Sequence, residues 1–117
     1  MLVIRDEQLR ILNKPSQAAF RKEVASYIQS EFPARFEALG PEGVGDLIEL
    51  GIRKAGQYGF ELEAEVCDLI AVMAEFGADV DQKPWASAIL RDSEPANVRI
   101  GRLTGWAEAL RRLGGKG

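Results

Sequence analysis

The chain has 117 residues, of which 46% are hydrophobic and 28% charged; its formal net charge is −3, and it has one cysteine and no histidine. That length suits one hydrophobic core rather than two domains, and the composition excludes a disordered or fibrous chain. Its acidity argues against binding the nucleic-acid phosphate backbone, which takes a concentrated excess of lysine and arginine, and no apolar run approaches the ~20 residues needed to cross a bilayer.

The opening residues, Met1 to Glu7, lack the basic, apolar and cleavage regions of a signal peptide. The expected setting is therefore the cytosol, in keeping with a lone Cys67 that has no internal disulfide partner. Asp6 is placed to cap a short lead-in helix that Lys14-Pro15 ends, because the residue before proline disfavours the α region. Ser16 then reads as the N-cap of a longer helix to about Glu31, with Phe20, Val24, Tyr27 and Ile28 at i, i+4, i+7 and i+8. Phe32-Pro33 breaks it, and a turn through Phe36 and Leu39 leads to Gly40-Pro41, where the next helix starts.

In that next helix Val44, Leu47, Ile48, Ile52 and Ala55 keep helical spacing, while Gly43, Gly45, Gly51 and Gly56 each cost up to about 1 kcal/mol relative to alanine. Either a neighbouring backbone comes close there or the helix is irregular. Gly59 is placed for the left-handed turn beyond the helix end. The following helix, from about Glu61 to Phe76, carries Leu62, Val66, Leu69, Ile70, Met73 and Phe76 on one side and Cys67, Ala71, Val72 and Ala74 elsewhere; a helix apolar over most of its circumference belongs at the centre of the core.

A polar loop, Gly77 to Lys83, precedes a short helix opened by Pro84-Trp85, in which Trp85, Ile89 and Leu90 pack inward. The last helix has Ile100, Leu103, Ala107 and Leu110 at helical spacing, includes Gly101 and Gly105, and frays at Gly114 to Gly117. No alternation of apolar and polar residues demands a sheet. The predicted fold is all-α, a single domain built as an irregular bundle of about five or six helices.

The absence of histidine removes the serine-histidine and cysteine-histidine nucleophile pairs, histidine metal sites and the usual proton carrier near neutral pH. Cys67 lies on the most apolar helix beside Asp68, which hinders thiolate formation. Glu61, Glu63, Glu65 and Asp68 crowd the first turns of the central helix, where they complement its dipole. Asp79-Val80-Asp81 opens like a calcium loop, but Lys83, Pro84 and Leu90 stand where that loop needs a ligand, a glycine and a glutamate. No phosphate loop is present. No catalytic residue, cofactor or metal is expected.

Three stretches carry a resemblance: Phe32-Pro33; Leu50-Gly51-Ile52-Arg53-Lys54-Ala55-Gly56-Gln57-Tyr58-Gly59-Phe60 with Glu61 to Cys67; and Phe76-Gly77-Ala78-Asp79-Val80-Asp81 running into Pro84-Trp85-Ala86 and Ile89-Leu90. In that order, over roughly residues 30 to 92, they resemble a group of small helical accessory proteins of type VI secretion effector gene clusters in Gram-negative bacteria. Some of these are co-chaperones that bind the dedicated chaperone of a toxic effector. Val80 departs from the group, which has an aromatic there. The resemblance implies a binding role in the bacterial cytoplasm, with a secretion-effector chaperone as partner, and transfers no catalytic residue.

Tryptophan, tyrosine and arginine are over-represented at binding hot spots, so the expected interface residues are Arg53, Tyr58, Phe60, Trp85, Arg99, Arg102 and Trp106, although core packing is the plainer role for each aromatic. Charge is uneven: Met1 to Leu90 hold 9 basic and 15 acidic residues, a balance of −6, and Arg91 to Gly117 hold 6 and 3, a balance of +3. The basic end is either a solvated helix face or a surface for an acidic partner. Two other functions compete with the adaptor: an immunity protein or inhibitor capping a basic toxin, and a small enzyme that uses carboxylates alone.

Overall fold

A computed structural model describes residues 14–114, with side chains from residue 18 onward. Among them are five α-helices and no strand, the all-α architecture the spacing predicts: α1 (Lys14–Glu31), α2 (Pro33–Gln57), α3 (Glu63–Phe76), α4 (Pro84–Leu90) and α5 (Ala96–Arg112), with a 3-10 turn (Val80–Gln82) between α3 and α4. The lead-in helix expected at Asp6 lies outside the described residues. No helix among them is long and apolar enough to cross a membrane.

The described part of α1 already includes Lys14 and Pro15, where a stop was expected. Proline's fixed φ is itself helical, and it breaks a helix only where its missing N–H would be needed. Phe20, Val24 and Ile28 are buried as their spacing predicts, whereas Tyr27 stays 42% exposed, its ring edge-on to Phe32. At Phe32 the chain turns for one residue and Pro33 starts α2, so Phe36 to Leu39 are helical rather than a turn. A proline at the first helical position gives up an N–H that has no partner in any case. Gly40 then breaks the helix with φ 72°, and Pro41 restarts it.

Gly51 is where the expected close approach occurs. It is buried on α2 against the Ile70 side chain of α3, and a Cβ there would overlap Ile70 Cγ1. Around Gly45 and Gly56, by contrast, a Cβ would meet nothing within 4 Å. α2 ends in a Schellman motif: Gly59, at φ 81°, donates to the Gly56 carbonyl, and the Phe60 N–H donates to Ala55 O at 2.8 Å, which satisfies two carbonyls that the helix itself leaves open.

α3 begins at Glu63, two residues later than expected. Glu65 Oε1 accepts from the Leu62 N–H at 3.4 Å, half of a capping box, since leucine has no oxygen to return the bond. Val66, Leu69, Ile70, Val72, Met73 and Ala74 are buried, and α3 packs against α1, α2, α5 and the 3-10 turn, so it is the spine that its all-round apolarity predicts. Ion pairs tie the outside: Arg21 to Glu49 joins α1 to α2, and Arg111 grips both oxygens of Glu75 at 2.6 Å to join α5 to α3.

Candidate protein-binding face

The residues expected at an interface separate into two groups and a lone Arg53. Tyr58, Phe60 and Arg99 come together, but they face inward. Arg99 donates from Nε to Glu94 O at 2.8 Å and from Nη1 to Tyr58 O at 2.8 Å and Leu90 O at 3.0 Å. Its guanidinium lies 5.0 Å from the centre of the Phe60 ring, which is buried. The planar fork of arginine makes this possible, because several donors leave one group in fixed directions. Arg99 therefore stitches the ends of α2 and α4 to the start of α5.

Beside this clamp the Tyr58 hydroxyl donates to Asp81 Oδ2 at 2.9 Å, Lys54 Nζ donates to Asp81 Oδ1 at 2.5 Å and to Ala78 O at 2.9 Å, and Gln82 Nε2 donates to Asp81 Oδ2 at 3.2 Å. The loop expected to be polar thus sends its acid inward. Burial alone would raise the Asp81 pKa, but the hydrogen bonds from Lys54 and Tyr58 and the lysine charge outweigh it and hold it below the ordinary 3.8. Tyr58 moves up, by burial first and then by its bond to Asp81. With every oxygen of Asp81 occupied, this cluster is a latch holding the 3-10 turn onto α2.

A small hollow of about 180 Å³ lies between α1, α3 and α5, lined by Tyr27, Asp68, Glu75, Glu108 and Arg111 among others. Glu75 is committed to Arg111, and Glu108 to Arg112 at 2.8 Å. The Asp68 pKa is raised by burial and by Glu65, and that of Glu63 by burial and by Glu23. Among the described residues no three of histidine, cysteine, aspartate and glutamate are grouped to hold a metal ion. The half-buried Cys67 thiol is pushed up to about 11 by burial, Asp68 and Glu23, from an ordinary 9.0. Below both values the thiolate fraction falls about 100-fold, so iodoacetamide at pH 8 should alkylate the folded chain about 100-fold more slowly than the chain in urea. Equal rates would show an open, reactive thiol.

In the second group Arg102 and Trp106 are exposed, and Trp85 is half-buried. Trp85, at the start of α4, packs with its ring edge-on to Phe76, centroids 5.6 Å apart, and lies near-parallel to Trp106 of α5 at 6.4 Å. Its buried Nε1 has no acceptor among the described residues, and an unmet buried donor costs on the order of 1–3 kcal/mol. Trp106 covers this stack from outside and is itself 52% exposed. While Ile100, Leu103 and Ala107 point α5 into the core, its opposite side carries exposed Gly101, Arg102, Gly105 and Ala109 and half-buried Val98. Arg102, Gly105, Trp106 and Ala109 line an open groove of about 350 Å³, and Leu113, 83% exposed, follows seven residues after Trp106.

A surface helix ordinarily turns charged residues to water. Here Val98, Gly105 and Ala109 hold the position farthest from the core, and a Cβ at Gly101 or Gly105 would meet nothing within 4 Å among the described residues, so no packing among them calls for those glycines. Arg102 pairs loosely with Asp92, at 3.6 Å. Arg53 lies apart on α2, exposed. Sequence reading names Trp106 and Arg102 singly but not the face they share; the spacing of Gly101, Gly105 and Ala109 at i, i+4 and i+8 is the signal that would have found it. No family model matches the chain, nor does any curated protein or solved structure.

Proposed function

We propose that the chain is a non-catalytic adaptor that binds another protein through the outer face of α5. The observation that carries this reading is Trp106, half open to water beside the small residues Gly105 and Ala109 on the outer side of the helix. Covering the exposed half of an indole contributes on the order of 2 kcal/mol to an association, and a tryptophan held in one orientation by a stacked neighbour gives that contact with little loss of side-chain freedom. Arg102 at the groove's edge supplies a polar contact.

The finer form of the proposal, resting on the resemblance over residues 30 to 92, is a co-chaperone of the bacterial cytoplasm that binds a type VI secretion effector chaperone and assists effector loading. Co-expression with the effector chaperone of its own gene cluster is expected to give a one-to-one complex, and Trp106→Ala to weaken it about 30-fold or more by calorimetry with the urea midpoint of the free chain held within about 0.3 M. A Kd unmoved by Trp106→Ala would remove α5 from the contact. Absence of a complex would end the co-chaperone assignment, and a toxin that loses activity when bound would make the chain an inhibitor instead.

A further inference from the structure

We infer that residues 33–39, the start of α2, form a strap that opens as one unit about Phe32 and Gly40 while the rest of the bundle stays folded. This goes beyond the adaptor reading and does not depend on it. The backbone supplies the hinges. Phe32, at φ −134° and ψ 61°, interrupts the helix on one side, and Gly40, at φ 72° and ψ 171°, interrupts it on the other. The second pair of angles lies in a region that glycine alone occupies readily. The residues between are thus a short helix joined to its neighbours by two non-helical links, and such links at the ends of elements absorb the rotations of hinge motions.

Little holds the strap down. Phe36 is half-buried and packs against the core, and the other strap residues are exposed. Among the described residues the strap's side chains make one hydrogen bond, from Arg35 Nη2 to Glu75 O at 3.0 Å, at the last turn of α3. Few buried contacts over a short, exposed backbone ladder are the marks of a segment that opens at a fraction of the global cost.

The closed position is nonetheless a defined one. Leu39 lies over Gly43 in the next turn of α2, where an added Cβ would stand 3.1 Å from Leu39 Cβ and would have Leu39 atoms as its three nearest neighbours. A methyl group at 43 therefore presses on the strap before it presses on the core. Gln29 of α1 forms one wall of an open cleft of about 560 Å³, and every other residue lining it belongs to the strap or to Gly40-Pro41. The width of that cleft follows the strap, and a ligand that binds one strap position better holds the strap there.

The test is amide hydrogen exchange of the full chain, read by nuclear magnetic resonance so that each amide is resolved. After correction for intrinsic rates, the amides of residues 36–39 are expected to share one protection factor, about 100-fold or more below that of residues 47–55 in the same helix. Ile70→Val, which weakens the core behind α2, should lower protection at 47–55 about two- to tenfold and leave the strap unchanged, because the opened molecule keeps that core. Gly43→Ala should do the reverse. Strap protection should fall about fivefold or more as the methyl group meets Leu39, and protection at 47–55 should fall less or not at all, because alanine is the better helix former. Fraying from Pro33 would instead grade protection from residue to residue. That gradient, protection equal to that of 47–55, a strap indifferent to Gly43→Ala, or strap and body that shift by one factor in either variant would each overturn the inference.

Discussion

Asp81→Ala is expected to destabilise the fold by about 3–5 kcal/mol, the range for removing one partner of a buried ion pair, read as a lower midpoint in urea unfolding followed by far-UV circular dichroism. The size follows from what the carboxylate holds. Its side chain is 5% exposed and that of Lys54 16%, so alanine would strand an ammonium group and a phenol that now end on aspartate oxygens at 2.5 and 2.9 Å. The double variant Lys54→Met with Asp81→Leu is expected to regain most of the loss, because an apolar pair of similar volume leaves no charge behind. A single-variant loss below about 1 kcal/mol, the value of an exposed pair, would show that the latch is open to water.

The same group sets an acid limb. Its folded pKa lies below the ordinary 3.8, so the unfolded chain takes up the proton first as pH falls. The stabilisation is therefore complete above about pH 5 and is lost as pH drops through the unfolded and then the folded value. Asp81→Asn should flatten that limb as well as lower stability near neutral pH. An unchanged acid limb would mean that other carboxylates dominate it.

Gly51→Ala should cost about 2–3 kcal/mol despite the gain in helix propensity of about 1 kcal/mol that alanine brings. The added Cβ would overlap Ile70 Cγ1 and stand 3.1 Å from its Cδ1, and Ile70 is wholly buried in the spine helix with nowhere to swing. Removing the obstruction tests the cause: Ile70→Ala alone should cost about 2–5 kcal/mol, and the double variant should be more stable than the summed losses predict by about 1–3 kcal/mol. At Gly56, where the space is open, alanine should instead stabilise. Simple additivity at 51 and 70 would refute the close approach.

These two sites differ in how far the sequence announces them. Gly51 is visible as a glycine that costs helix stability within an apolar stripe, and what it receives lies on the next helix, whose own stripe includes Ile70. Local periodicity likewise finds Phe20, Val24 and Ile28, the central place of α3 and the turn at Gly59. Asp81 gives no such sign, because an aspartate in a loop reads as solvated, and only the fold brings Lys54, 27 residues earlier, against it. Arg99 is hidden for the same reason: its acceptors are backbone carbonyls, which every residue has, so no residue type at Tyr58, Leu90 or Glu94 points to it. Phe36 to Leu39 read as a turn in the sequence but are helical, because Pro33 acts both as a stop for α1 and as a start for α2, and local propensity gives more weight to the stop.

On the outer side of α5, sequence supplies the side chains and structure supplies their company. Trp106 is one of nine aromatics, core packing being the plainer role for each, and 52% exposure removes it from there. What makes the face unusual is what surrounds it, namely residues too small to shield it.

The chain has just two tryptophans, and they lie together where α4 meets α5. Its ultraviolet emission consequently comes from one corner of the molecule, from a pair of indoles close enough to exchange excitation. That emission follows events at this corner and is blind to many elsewhere: a ligand laid over Trp106 would shift it toward the blue, and departure of α5 would extinguish the pair's coupling while α1 to α3 stayed helical. Where a fluorescence transition and a helical one fail to coincide on unfolding, the gap measures how independently the last helix leaves the bundle.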